Sequence, residues 1–355
     1  MFENLYKELL LKVNEGNQCV MLTYLDLHSD RNGSIENKVL LTKEDLEKKS
    51  IGLNDKVYQA ALTSLDTGKV ETVDLEERKS ILVEPFFPKP RLFVFGGGHI
   101  AKPLVEFSSR VGFSVTLIDD RPTFANSGRF PEAEKVICDS FENSFNLIDF
   151  RKSDFVVIVT RGHRHDGLVL RHVLNYDLSY VGMIGSKRRV RGMMNELLEE
   201  GFSKEKLDLV NSPIGLDIGA ITPDEIAISI ISELISFKNK GVINKLGKNF
   251  SFPDFDKEVA IEISEKSEMP KALITILSSK GSVPRKAGAK MIAYFDGRTL
   301  GSIGGGCSEA AVLTNARGVM IDKGFLIQHV DMTGVVAEAQ GMVCGGVMEV
   351  LVESF

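Results

Sequence analysis

The sequence predicts an α/β protein in which a central Rossmann-like parallel sheet is flanked by two related, mostly β (α+β) domains, the first a degenerate copy of the second. Three observations lead there. Residues 88–121, "PKPRLFVFGGGHIAKPLVEFSSRVGFSVTLIDDR", read as strand, glycine turn, helix and strand. Strand, loop and helix then alternate as far as residue 240. The segments before and after this stretch repeat each other, at an offset of 252 residues up to Gly52 and of 269 at their ends. The expected division is therefore 1–87, 88–240, a polar linker over 241–254, and 255–355.

The chain opens with "MFENLYKELLLKV", whose apolar residues Phe2, Leu5, Tyr6, Leu9 and Val13 fall at helical spacing. This is an amphipathic helix and not a signal peptide. In the central part, Leu92 to Phe95 is a short apolar strand, and Gly96, Gly98 and Ala101 fit G-x-G-x-x-G/A. The first glycine makes the tight turn, the second leaves room for a phosphate, and the third small residue lets helix pack on strand. His99 follows the turn. The next strand ends at Asp119, placed to bind a ribose diol.

"DFVVIVTRGHRHDGLVLRHVL" adds strand, loop and helix, with Arg161, His163, His165 and Asp166 at the carboxyl end of the strand. Open α/β sheets bind ligands at that edge. Two histidines are too few for a metal site, and Asp166 is expected to start the helix as a cap. "SYVGMIGSKRRVRGMM" repeats the pattern, with Ser186 as cap and Lys187 and Arg188 placed to meet an anion. Thr222, Pro223 and Glu225 form a capping-box start for one more helix.

The flanks align at an offset of 252 residues: "CVMLTYL" from Cys19 with "KALITIL" from Lys271, and "NKVLLT" from Asn37 with "AKMIAY" from Ala289. Both end alike, "ILVEPF" at Phe86 and "VLVESF" at Phe355. A shared strand framework follows, with different loops. Leu53, Asn54 and Asp55 stand where the second copy has Gly305, Gly306 and Cys307. "KGSVPRKAG" and "CGG" belong to the second copy alone. Loops held on a rigid scaffold are where function concentrates.

A chain of 355 residues suits two or three domains. A net charge of −6 with mixed signs gives no footprint for nucleic acid. No apolar run reaches the ~18–20 residues of a membrane span. Four cysteines in this length make no disulfide framework, so a reducing cytoplasm is expected. Cys19 and Cys138 lie in apolar strand-like runs and read as small buried hydrophobes.

The other two cysteines carry a chemical suggestion. Cys307, in "GSIGGGCSEAAVL", follows Gly304, Gly305 and Gly306 and opens an amphipathic helix with Val312, Ala316, Val319 and Met320 on one face. A thiol at a helix N-terminus has its pKa lowered. Cys344 sits in "MVCGGVMEVLVE" beside two glycines. Arg285, in "GSVPRKAG", can reach an anion bidentately. Thiolates, backbone amides and an arginine suit a ligand both anionic and thiophilic.

These stretches resemble a known family. "GSVPRKAGAKMIAYFDGRTLGSIGGGCSEAAVL" and "GMVCGGVMEVLVE" are similar to the N-terminal-type domain of the xanthine dehydrogenase accessory proteins (XdhC/CoxI). "RLFVFGGGHIAKPL", "TRGHRHD", "VGMIGSK" and "SPIGLDIGAITPDEIAISI" are similar to that family's Rossmann domain, so the resemblance covers about residues 88–355. It implies an accessory factor for a molybdenum hydroxylase that binds the molybdenum cofactor (molybdopterin), holds it while a cysteine desulfurase sulfurates it, and delivers it to the apo-enzyme. Cys307 and Cys344 match family cysteines and are the implied metal-binding residues. The order differs from the family's: the motif-bearing domain follows the Rossmann domain, and a worn copy precedes it, so the two surfaces meet within one chain or across a homodimer.

The implied role is cofactor binding without turnover, with no catalytic residue assigned. The Rossmann glycines hold NAD(P), another nucleotide or the pterin phosphate. The alternatives are an NAD(P)-dependent oxidoreductase built on Gly96, Gly98 and Asp119, and a thiol-redox protein built on Cys307 and Cys344.

Overall fold

The computed structural model describes residues 2–48, 52–75, 78–240, 252–332 and 346–355. The chain divides into two compact units, residues 1–88 with 243–355, and residues 89–242.

The first flank contains α1 (Glu3–Asn14), β1 (Cys19–Leu27), β2 (Asn32–Thr42), α2 (Lys43–Glu47), α3 (Asp55–Thr67), β3 (Glu71–Asp74) and β4 (Lys79–Phe86). The middle unit contains β5 (Arg91–Phe95), α4 (Ala101–Arg110), β6 (Ser114–Asp119), β7 (Lys135–Cys138), α5 (Phe141–Ser144), β8 (Phe155–Ile158), α6 (His163–Val173), β9 (Tyr180–Met183), α7 (Lys187–Glu199), α8 (Lys204–Leu207), β10 (Val210–Asn211) and α9 (Pro223–Lys240). The second flank contains α10 (Lys257–Ser264), β11 (Lys271–Gly281), β12 (Lys290–Tyr294), β13 (Thr299–Gly301), α11 (Cys307–Asp322), β14 (Phe325–Asp331) and β15 (Gly346–Ser354).

In the middle unit all strand pairings are parallel, in the order β10-β9-β8-β5-β6-β7. The chain runs outward from β5 to β7, returns to β8 beside β5, and runs outward the other way. This is the Rossmann order, and the reversal lies between β5 and β8. β8 is apolar and buried along its whole length, and β5 is so after Arg91, as a parallel sheet covered on both faces requires. Phe93, Phe95, Val156 and Ile158 pack with Val169, Leu170 and Val173 of α6 and Val190, Met193 and Leu197 of α7. Helix α9 starts as its sequence demands: Thr222 N–H donates to Glu225 Oε2 at 2.9 Å, and Glu225 N–H to Thr222 Oγ1 at 3.3 Å.

The other unit is built from both flanks. Their strands form one sheet, β13-β12-β11-β15-β14-β2-β1-β4-β3. Within it each copy keeps one order, β2-β1-β4-β3 in the first and β12-β11-β15-β14 in the second. The copies join where β14 pairs antiparallel with β2, Phe325 opposite Gly33 and Leu326 opposite Asn32. The backbones approach closely there. A Cβ on Gly324 would lie 2.4 Å from the Gly33 oxygen.

Strand alternation sets the layers. Val20 and Leu22 of β1 face outward against Val57, Ala61 and Leu65 of α3. Ala272, Ile274 and Ile276 of β11 face Val312, Ala316, Val319 and Met320 of α11. The opposite faces meet each other: Cys19 and Met21 share a core with Leu273 and Ile292, closed by Tyr6 and Leu9 of α1 and Val259 and Ile263 of α10. Leu25 and Leu82 meet Phe325 and Leu351 in a second patch.

Two buried ion pairs lie in this inner layer, and each joins one copy to the other. Lys38 Nζ lies 2.8 Å from Glu353 Oε2 and donates to Thr23 Oγ1 at 3.2 Å. Lys290 Nζ pairs with Glu84 and donates to Thr275 Oγ1 at 2.9 Å. Lys38 and Lys290 occupy equivalent positions, as do Thr23 and Thr275, and Glu84 and Glu353. In a flat sheet β12 and β4 would be about 29 Å apart at ~4.8 Å per strand. Direct contact between Lys290 and Glu84 therefore requires the sheet to curl until its two halves face each other.

Candidate functional site

The first candidate site is the carboxyl edge of the parallel sheet around β5, β6 and β8. Gly96 adopts φ +110°, and a Cβ there would sit 2.4 Å from the Val159 carbonyl oxygen, so only glycine fits the turn. A Cβ on Gly98 would meet nothing within 4 Å, leaving the backbone open to a ligand. Ala101 is fully buried at the start of α4, and His99 is exposed beside the turn.

Asp119 departs from its expected role. It is buried, and its carboxylate accepts from Gly97 N–H at 2.7 Å, Arg121 N–H at 3.0 Å, Arg121 Nε at 2.8 Å and Arg121 Nη2 at 2.8 Å. Burial pushes its pKa up, but the Arg121 and Gly97 hydrogen bonds outweigh that and hold it below the ordinary carboxylate value. A carboxylate offers about four acceptor positions, and all are taken, so none is left for a diol.

Arg161 makes a bidentate pair with Asp120, at 2.6 and 2.8 Å, tying the loop after β8 to the loop after β6. Asp166 is not the cap of α6. It lies inside the first turn, and the Thr160 hydroxyl donates to it at 2.6 Å. Burial raises its pKa against that bond. Ser186 does cap α7, accepting from Arg189 N–H at 3.4 Å, with Lys187 exposed in the first turn. His163, Asp166, Gly185 and Arg189 border a small cleft between the first turns of α6 and α7, beyond the end of β9. Among the described residues, no three His, Cys, Asp or Glu side chains come together as a metal site.

The second candidate site is the glycine loop before α11. Gly304, Gly305 and Gly306 have φ of +136°, +75° and +61°, which explains three glycines in a row. Cys307 is the first residue of α11, with Gly306 at the N-cap. The side chain of Cys307 and the whole of Cys344 lie outside the described residues.

The loop amides are not all open to a ligand. Glu309 Oε1 accepts from Ser302 Oγ at 2.7 Å, Ile303 N–H at 3.1 Å and Gly305 N–H at 2.8 Å. Arg285 is also engaged: its Nε and Nη2 bind the Asp254 carboxylate at 2.8 and 2.9 Å. Both the expected anion-binding arginine and part of the amide nest are satisfied from within the chain.

The cysteine expectations divide. Cys19 is buried, and burial raises its thiol pKa to about 11. Cys138 is exposed, because it ends the edge strand β7 and alternation points Ile137 inward instead.

The residues missed from sequence were Arg121, Glu309 and the paired Lys38, Glu353, Lys290 and Glu84. The last four had a signal: identical charges at equivalent strand positions in both copies.

Comparison with known proteins bears on both sites. The XdhC Rossmann domain model matches residues 92–234, and the XdhC and CoxI family model matches residues 265–331. The chain belongs to the XdhC and CoxI family.

Both loops described above lie within the matched residues. The family's likeness extends to a probable xanthine dehydrogenase subunit of Bacillus subtilis (strain 168), 30% identical over 165 residues, which are 46% of this chain and 48% of that one. It extends also to "Uncharacterized protein YqeB" of Escherichia coli (strain K12), 29% identical over 161 residues, 45% of this chain and 29% of that one. The match thus spans about half the length of the first relative and less of the second. Among solved structures, a xanthine dehydrogenase from Bacillus halodurans is 23% identical, covering 65% of this chain and 93% of that chain at a TM-score of 0.40.

Proposed function

We propose that this chain is an accessory factor for a molybdenum hydroxylase of the xanthine dehydrogenase type, which binds the molybdenum cofactor, holds it for sulfuration by a cysteine desulfurase and delivers it to the apo-enzyme. The observation that carries this reading is Cys307 at the first position of α11, after three left-handed glycines, inside the segment that matches the family. A helix N-terminus favours thiolate, and a thiolate is a soft ligand suited to molybdenum.

The remaining donors bear on the fit. Glu309 occupies the Ile303 and Gly305 amides and Asp254 occupies Arg285, so this loop is assigned the metal end of the cofactor rather than its phosphate. When bound, the cofactor supplies metal-centred redox chemistry to the client. This chain's residues bind and orient it.

The test is metal analysis of protein purified from a host that makes the cofactor, with reconstitution of an apo-hydroxylase. Cys307→Ala is expected to retain about tenfold less molybdenum or lower still, by analogy with the loss on weakening a metal site, and to activate the client poorly. Cys138→Ala is expected to match wild type in both. Equal molybdenum and activation by Cys307→Ala and wild type would remove the thiol from the site.

A second reading keeps a nucleotide in the crevice of the middle unit. The reversal between β5 and β8 and the open Gly98 turn support it, whether the protein acts as an oxidoreductase or only binds.

A further inference from the structure

The loop after β6 contains a group that the nucleotide reading does not use. Arg121 holds Asp119 with Nε and one N–H of Nη2. Its guanidinium carbon lies 3.9 Å from the centroid of the Phe124 ring, so the plane is pinned by a cation–π contact as well as by the carboxylate. Arg129 lies 5.3 Å from the same centroid. This loop adjoins the glycine turn, since a Cβ on Gly97 would sit 2.5 Å from the Phe124 carbonyl oxygen.

Three facts narrow the ligand. The acid at the end of β6 has no acceptor position left, so a free ribose diol finds no partner there. Arginine has five N–H donors, and Asp119 engages two of the Arg121 set, leaving a second guanidinium edge in a fixed orientation. Arg129 brings a second guanidinium to the same ring, while Arg161 is paired with Asp120. A planar, pre-oriented guanidinium edge suits a phosphate.

We propose that the crevice beside β5 and β6 selects a nucleotide carrying a phosphate on its ribose, of the NADP type, over one with a free diol, and that Arg121 makes the selection while Asp119 positions it. This rests on the nucleotide reading above.

Binding calorimetry on the full chain tests it, with NADP⁺ against NAD⁺ and 2′,5′-ADP against 5′-AMP at one salt concentration. The expected result is a preference of about tenfold or more for the 2′-phosphorylated member of each pair, the range of one or two charge-assisted hydrogen bonds. In Arg121→Gln the preference falls to about twofold or less, with NAD⁺ bound at least as well, because the two Asp119 acceptor positions held by the guanidinium are freed for a diol. Gly98→Arg abolishes binding of both dinucleotides, because the side chain fills the open turn. Equal binding of NADP⁺ and NAD⁺ to wild type, or of 2′,5′-ADP and 5′-AMP, overturns the proposal and needs no variant. So does a preference that survives Arg121→Gln. Those outcomes leave a nucleotide in the crevice, whereas binding of no member of either pair overturns the proposal and the nucleotide reading together.

Discussion

The two copies in the split unit agree where they touch and differ where they do not. Each contributes a lysine and a threonine to one strand pair and a glutamate to the last strand, and each lysine reaches the other copy's glutamate. Neither copy can lose its charge without stranding one in its partner. A buried charge left unpaired costs far more than a surface one gains, so the reciprocal pairs keep both copies alike along the inner faces. The helix starts are under no such constraint. In the first copy α3 begins at Asp55, capped by Asn54, whose side chain accepts from Lys56 N–H at 2.9 Å. In the second, α11 begins at Cys307 with Gly306 at the N-cap, and Glu309 folds back onto the loop. Val57 stands at the position equivalent to Glu309 and is buried against the sheet. One scaffold thus carries a helix start built for packing and another built around a cysteine.

The sharpest way to break the comparison is at the shared pairs. Lys290→Met strands Glu84 and is expected to destabilise the unit by about 3–5 kcal/mol in urea unfolding, and Lys38→Met, stranding Glu353, by a similar amount. Removing both partners, as Lys290→Met with Glu84→Leu, should recover most of that loss. A single-variant cost below about 1 kcal/mol, the range of an exposed pair, would mean that the ions are not paired in the dry interior.

Next in size is the difference between the helix starts. Glu309→Ala leaves two amides and a hydroxyl without their acceptor and should cost about 1–3 kcal/mol. Glu309→Gln, which keeps an acceptor oxygen, should cost less. Asn54→Ala removes a single cap bond and should cost about 1 kcal/mol. Equal losses from Glu309→Ala and Asn54→Ala, read from the same unfolding curves, would show that the second loop is tied no more firmly than the first.

The smallest effect concerns the thiols. Burial raises the Cys19 pKa from its ordinary value to about 11. The folded state then holds its proton more tightly than the unfolded state. This contribution is complete below the ordinary thiol pKa of about 8.5 and is lost as pH rises toward 11. Cys19→Ala should flatten the decline of stability over that window, apart from a constant packing loss. Native alkylation at pH 8 should modify exposed Cys138 and spare Cys19, and modification of Cys19 before unfolding would contradict its burial.

Much of this was legible in the chain. The β5 turn and the Ser186 and Thr222 helix starts are local patterns that local backbone sterics and hydrogen bonds enforce, and the spacing to Asp119 and the 252-residue offset are read directly by aligning the chain with a motif and with itself. The same holds for Gly304 to Gly306, whose positive φ values are why glycine stands there. What only the tertiary structure decided is where the charged groups point. Lys38 meets Glu353 across 315 residues and Lys290 meets Glu84 across 206, because one sheet curls on itself, and no periodicity encodes that curl. Asp119 reads as a ribose ligand by position, yet the Phe124 ring and the Gly97 amide hold Arg121 and the carboxylate together and use up its lone pairs. Arg285 reads as an anion binder, yet Asp254 reaches it first. Backbone conformation follows from neighbours in sequence. The satisfaction of a buried charge follows from neighbours in space, and those exist only once the chain has folded.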